Sequence, residues 1–216
     1  MLKKIFMNTK NPNGLWGKFF LWMMNKGHRS LSNWGLSHVS IKSDDRILDI
    51  GCGGGQTLAS MLKMVSNGKV YGLDHSLLSV EKSIKFNPKY VDSGKCIIFH
   101  GSVSQIPIES LTLDLVTAFE TVYFWTNFKS DSMEVFRVLK FGGKFLICNE
   151  VSRKDDEDVS NNVFVKTLDL MVYSPKEFEE ILESVGFKDV KTSFAKNKKF
   201  MCVIAEKWIW REVFFI

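Results

Sequence analysis

The run Asp49-Ile-Gly-Cys-Gly-Gly-Gly55 has the residue types and spacing to hold a nucleoside against the main chain. It begins inside the buried-looking strand Arg46–Ile50 and sets Gly51, Gly53 and Gly55 at alternate positions. Glycine admits backbone angles and close approaches that a side chain would block. A helix leaving this turn near Gln56 would present free N–H groups to polar ligand atoms. Asp74 closes the next strand-like run, Lys69–Asp74, where a carboxylate can accept both hydroxyls of a ribose. A dinucleotide fingerprint would need glycine or alanine where Gln56 stands, and no Gly-Lys-Ser/Thr follows as in a P-loop. The spacing is G-x-G-x-G.

A second group of reactive side chains ends a later apolar run, Leu113–Phe119, in Glu120-Thr-Val-Tyr123 and Trp125. In open α/β sheets ligands sit outside the carboxyl ends of the strands, so this end should face the same cleft. Glu120 can contact a cationic ligand or take a substrate proton, or it can be a solvated strand-end residue. Tyr123 and Trp125 can offer π faces to a cation or a flat substrate, or fill the core. Glu150, closing a further strand, is a weaker candidate with a structural reading favoured.

The elements that must position these groups alternate along the chain. Strands are expected at Arg46–Ile50, Lys69–Asp74, Lys95–His100, Leu113–Phe119 and Gly143–Glu150, with helices near Gln56–Val65, Leu77–Phe86 and Ser132–Leu139. Single helices between near-continuous apolar strands imply right-handed parallel crossovers in a sheet covered on both faces. A further helix is marked by Ser174, Pro175 and Glu177 at its start, by Phe178, Ile181, Leu182 and Val185 on one face, and by Gly186 at its end. Two last runs, Lys188–Phe194 and Phe200–Glu206, are close enough for an antiparallel hairpin. The expectation is a doubly wound, Rossmann-like, mostly parallel seven-stranded α/β sheet with an antiparallel C-terminal hairpin and an N-terminal helical cap.

With 216 residues, 45% of them hydrophobic and 25% charged, the chain is sized for one domain with a substantial core. That domain, 1–216, would comprise an aromatic cap at 13–38, the sheet core at 44–206, an insertion at 151–172 and a tail at 207–216. The 4 cysteines are scattered without a C-x-x-C pair, so neither a metal site nor a disulfide framework is expected. The formal charge of +5 permits an anionic partner without demanding one. The apolar start at Met1–Met7 stops at Asn8, and Lys18 interrupts Leu15–Met24, so neither a secretory leader nor a transmembrane segment is expected. A cytoplasmic protein is expected.

The glycine run, Asp74 and Val138-Leu-Lys-Phe-Gly-Gly-Lys144 together resemble the class I S-adenosylmethionine-dependent methyltransferases. The likeness covers residues 44–206 and is nearest to the small-molecule enzymes that include those of the ubiquinone and menaquinone pathways. It implies that Asp49, Gly51, Gly53 and Gly55 surround the methionine part of S-adenosylmethionine and that Asp74 binds its ribose. Leu73 or His75 would lie beside the adenine, and Phe119 would also contact the cofactor. Ser102 stands where the family often has aspartate, with the Val103 N–H beside it. Glu120-Thr-Val-Tyr123 lacks the prolines of the Asn/Asp-Pro-Pro-Tyr motif of base methyltransferases, so nucleic acid is not the expected partner.

The implied activity is methyl transfer to a small molecule, with Glu120 and Tyr123 as the catalytic candidates. Acceptor-pocket candidates are Trp16, Phe20, His28, Tyr123 and Trp125, the cap acting as a lid or simply packing on the sheet. His28 and His38 are possible acid–base groups. The alternatives are an RNA or protein methyltransferase and a catalytically silent cofactor-binding module. The aromatic tail from Lys207 is expected to pack back on the body, a dimer or membrane-surface contact being the other use.

Overall fold

The computed structural model describes residues 29–159, 162–196 and 200–208. Trp16, Phe20 and His28, most of the 13–38 cap, and the tail beyond Trp208 lie outside the described residues. Helix α1 spans Arg29–Leu36, and the first β-α-β unit follows as β1 (Arg46–Ile50), α2 (Gln56–Met64) and β2 (Lys69–Asp74). Then come α3 (Leu77–Phe86), α4 (Pro88–Asp92), β3 (Cys96–His100), β4 (Leu113–Phe119), α5 (Phe128–Val138) and β5 (Leu139–Asn149). The chain closes with α6 (Val163–Leu168), α7 (Pro175–Val185), β6 (Lys188–Phe194) and β7 (Met201–Glu206).

These strands form one seven-stranded sheet in the order β3-β2-β1-β4-β5-β7-β6. β1 to β5 pair in parallel, and β7 runs antiparallel to both β5 and β6. The expected hairpin is present, with β7 inside the sheet and β6 as its edge. Strand order reverses between β1 and β4, and that switch point opens a crevice at their carboxyl ends.

The near-continuous apolar runs are explained by burial on both faces. Ile47, Leu115 and Leu146 pack with Leu31 of α1 and with Leu58, Met61 and Leu62 of α2. Their sequence neighbours Leu48, Val116, Phe145 and Ile147 pack with Val135 of α5 and with Phe178 and Leu182 of α7. α7 has the expected capping box, with Ser174 Oγ accepting from the Glu177 N–H and Glu177 accepting from the Ser174 N–H. Such a cap contributes about 1 kcal/mol, whereas Phe178 and Leu182, both fully buried, contribute about 1.5–3 kcal/mol each. Burial therefore sets where α7 lies and the cap sets where it starts.

Two boundaries correct the sequence reading. α5 begins at Phe128 rather than Ser132, because Asn127 caps it by accepting from the Ser130 N–H at 3.1 Å. β5 begins at Leu139 rather than Gly143, since Leu139 already pairs with Leu113 ahead of a register shift. The insertion packs Val165, Leu168 and Leu170 around Tyr123. Among the described residues no helix is long and apolar enough to cross a membrane.

Arg137 of α5 ties the strap that follows β3 to this frame. Its guanidinium donates to the carbonyls of Ile106 at 3.0 Å and Ile108 at 2.9 Å and pairs with Glu134 at 2.8 Å. Bonds to charged groups contribute about 1.5–3 kcal/mol when shielded, and partial exposure reduces that here. Arg137→Ala is expected to lower unfolding stability by about 1–2 kcal/mol, read from the midpoint of a urea melt.

Candidate active site

The turn after β1 is fixed from two sides. The N–H groups of Gly51 and Cys52 donate to the Leu73 carbonyl at the end of β2, at 2.7 and 3.2 Å. The Gly53 N–H donates to Asp74 Oδ2 and the Ser76 N–H to Asp74 Oδ1, each at 2.9 Å. One carboxylate thus joins the glycine turn to the start of α3. Burial pushes the Asp74 carboxyl up, and the N–H bonds from Ser76 and Gly53 oppose that rise.

The three glycines have different reasons to be glycine. All have positive φ, at 71°, 53° and 83° for Gly51, Gly53 and Gly55. A Cβ on Gly51 would fall 2.6 Å from Thr121 Oγ1, and one on Gly55 would fall 2.5 Å from Ser83 Oγ. Those two positions are closed by packing. A Cβ on Gly53 would meet nothing nearer than the Gly51 carbonyl at 4.0 Å, so Gly53 leaves its space to the cleft.

That cleft is a cavity of about 680 Å³, within the range of small-molecule sites. Of the sequence candidates, Asp49, Gly51, Gly53, Asp74, His75, Ser102, Val103, Phe119, Glu120 and Trp125 line it. Asp49 forms its floor, 2% exposed and accepting from Thr117 Oγ1 at 2.7 Å. Burial pushes the Asp49 carboxyl up to about 7, the Thr117 hydroxyl offsetting part of the rise. The Ser102 hydroxyl caps the short turn Val103–Gln105, accepting from Ser104 N and Oγ.

Glu120 has a left-handed backbone, φ 59°, sparsely populated for a residue with a side chain. Its N–H continues the ladder to the Cys148 carbonyl at 2.9 Å. The left-handed step turns its carboxylate to accept from the Tyr123 hydroxyl and the Glu150 N–H. Burial pushes this carboxyl up to about 7, the Tyr123 and Glu150 bonds opposing it. The Tyr123 hydroxyl is itself held well above its usual range, first by burial and then by the Glu120 charge, so it stays a donor.

The remaining candidates sit elsewhere. Tyr123 does not line the cavity; its ring is buried among Val165, Leu168 and Leu170, and only its hydroxyl reaches Glu120. Gly55 stands behind the wall as the residue before α2, its carbonyl accepting from Asn87 Nδ2 at 3.0 Å. His38 lies away from the cavity lining. Its Nδ1 lies 2.8 Å from the Trp34 carbonyl and its ring is edge-on to Trp34. Glu150 follows β5 and contributes its backbone N–H to Glu120. Sequence reasoning missed Arg29, Ser32, Thr121, Phe124, Asn127 and Asp131, all of which line the cavity. Of these only Asn127 carried a signal, as a cap residue before a helix.

A family model for the methyltransferase domain matches residues 41–203, the whole span from before the glycine turn to β7. The chain belongs to that methyltransferase family. YrhH of Bacillus subtilis (strain 168), which carries a methyltransferase name, is 25% identical over 179 residues, covering 83% of this chain and 87% of its own. A demethylmenaquinone methyltransferase of Oceanobacillus iheyensis is 29% identical over 129 residues, 58% of this chain and 52% of its own. A solved S-adenosylmethionine-dependent methyltransferase from Aquifex aeolicus shares the fold, with a TM-score of 0.70, 23% identity, and coverage of 87% of this chain and 96% of that one.

The methyltransferase is therefore S-adenosylmethionine-dependent, and its own residues fit that cofactor. Gly53 leaves an open cradle, and the buried Asp74 carboxylate stands on the wall beside it. The bound cofactor supplies a methyl group already activated by a sulfonium.

Proposed function

We propose that this methyltransferase transfers the methyl group to a small-molecule acceptor held between Glu120, Phe124, Trp125 and the start of α5. One observation carries the reading. A single cavity of about 680 Å³ is lined both by the glycine turn and by the carboxyl end of β4, so donor and acceptor would share one enclosure. The demethylmenaquinone methyltransferase among its relatives is named for a small-molecule acceptor and supports the same class.

Asp74 binds the ribose, Gly53 admits the methionine arm, and Asp49 faces its ammonium. Phe119 and Trp125 exclude water from the path of transfer. With an activated methyl, in-line positioning of the acceptor supplies much of the rate. Incubation with isotopically labelled methyl donor and a fractionated cell extract tests the assignment. Label is expected in the low-mass fraction; label confined to RNA or protein would refute the small-molecule reading.

Asp49 also sets a pH dependence. Its carboxyl is largely neutral below about 7 and anionic above it, and a cationic ligand favours the anion. Binding therefore releases a proton at the acid end of the range, and affinity rises as pH rises. S-adenosylmethionine is expected to bind about five- to tenfold tighter at pH 8 than at pH 6. Fluorescence titrations of wild type and Asp49→Asn check this, the variant losing the slope.

A further inference from the structure

The charge and geometry of the cavity point to a primary or secondary amine as the acceptor, entering as an ammonium ion between the Phe124–Trp125 wall and the carboxyls of Glu120 and Asp131. The inference rests on the methyl-transfer reading above and narrows it to one class of acceptor.

Among the described residues the cavity wall carries four carboxyl groups, Asp49, Asp74, Glu120 and Asp131. Among the described residues lining it, Arg29 is the only lysine or arginine. The cofactor accounts for part of this set. Its carboxylate calls for Arg29, its ammonium for Asp49 and its ribose for Asp74. Glu120 and Asp131 are left to the acceptor.

Asp131 is 3% exposed, and among the described residues its carboxyl accepts one long hydrogen bond, from the Asn127 N–H at 3.4 Å. A buried carboxylate this sparsely bonded is costly unless a cation pairs with it. A phosphate or carboxylate acceptor would bring a further negative charge against both groups, and among the described lining residues Arg29 alone could receive it. A neutral acceptor would desolvate them without pairing them. An ammonium supplies the positive charge that these carboxyls lack, and Phe124 and Trp125 line the same cavity.

Glu120 is arranged to take the proton. The Tyr123 hydroxyl and the Glu150 N–H hold its carboxylate plane, leaving lone pairs for a third donor. The acceptor ammonium gives one N–H proton to a Glu120 oxygen. The freed nitrogen pair forms the new N–C bond as the methyl C–S bond breaks, its electrons remaining on sulfur. The products are an ammonium bearing one more methyl group, a neutral thioether and protonated Glu120, which returns its proton to solvent. Tyr123 is a positioning residue in this step.

The test uses the full chain, labelled methyl donor and a low-mass cell extract, untreated or first acylated with N-hydroxysuccinimidyl acetate to block primary and secondary amines. Untreated extract is expected to take up label, and acylation to reduce that uptake at least tenfold. Unchanged uptake after complete acylation would overturn the amine while leaving small-molecule methylation standing. No uptake by untreated extract would remove the underlying reading, and the inference with it. With the product identified, Glu120→Gln is expected to lower kcat about 100-fold while the affinity for the demethylated cofactor stays within about threefold. Tyr123→Phe is expected to lower kcat less, with KM unchanged. An unaltered kcat in Glu120→Gln would remove Glu120 as the proton acceptor.

Discussion

Gly53→Leu is expected to lower the affinity for S-adenosylmethionine by more than about 100-fold while the protein stays folded. The two effects separate because of where the side chain would go. A Cβ on Gly53 meets no atom nearer than 4.0 Å, so the substitution does not break the turn. Its structural cost is the left-handed backbone, φ 53°, about 1–2 kcal/mol for a residue with a side chain. The leucine would then occupy the space against which the methionine arm lies, and loss of about 3 kcal/mol of contact is a factor of about 100.

Gly51→Ala and Gly55→Ala should behave in the opposite way. Their Cβ atoms would fall 2.6 Å from Thr121 Oγ1 and 2.5 Å from Ser83 Oγ, so the added methyl strains the fold before any ligand arrives. Thermal melts with paired binding titrations distinguish the two patterns. Wild-type affinity in folded Gly53→Leu would show that the cofactor does not lie on this turn.

The second large effect is expected at Asp74. Its carboxylate accepts from Gly53 N–H and Ser76 N–H, and a bound ribose would add its hydroxyls to the same oxygens. Asp74→Ala removes the anchor of the turn and the ribose acceptor together. Hydrogen bonds to a charged group contribute about 1.5–3 kcal/mol each, so affinity should fall at least about 100-fold. Asp74→Asn retains one carbonyl oxygen and should lie between wild type and alanine. Competition with a 2′,3′-dideoxyribose analogue of the demethylated cofactor isolates the ribose share. Wild type should discriminate against that analogue and Asp74→Ala should not. Equal discrimination by both proteins would place the ribose elsewhere.

Much of this site was legible in the sequence because its determinants are local. A strand buried on both faces, three alternate glycines and an acid at the next strand end lie within one β-α-β unit, and β1 pairs in register with β2 from Arg46–Lys69 to Ile50–Leu73. The sheet followed for the same reason, its apolar runs being too continuous for a half-exposed strand. The misreadings arose where tertiary contacts decide. The first turn of α5 is polar after Phe128, so the apolar period starts late, although Asn127 already caps the helix. The sequence reading carries the helix to Leu139 and starts the strand at Gly143, yet Leu139 already pairs with Leu113.

Tyr123 was expected on the cleft wall because β4 ends there. The short turn Val122–Phe124 instead buries its ring under the insertion and leaves only the hydroxyl to act. Asp131 and Arg29 carried no local signal at all. Both reach the cavity through the packing of their helices. The differing roles of the three glycines were equally invisible, since they depend on Thr121, Ser83 and Asn87.

The most direct measurement is equilibrium dialysis of labelled S-adenosylmethionine against the full chain, with Gly53→Leu alongside. Saturable uptake of one cofactor per chain, displaced by the demethylated product and lost in the variant, is the predicted result. Absence of saturable uptake by wild type, or equal uptake by both proteins, would contradict the account.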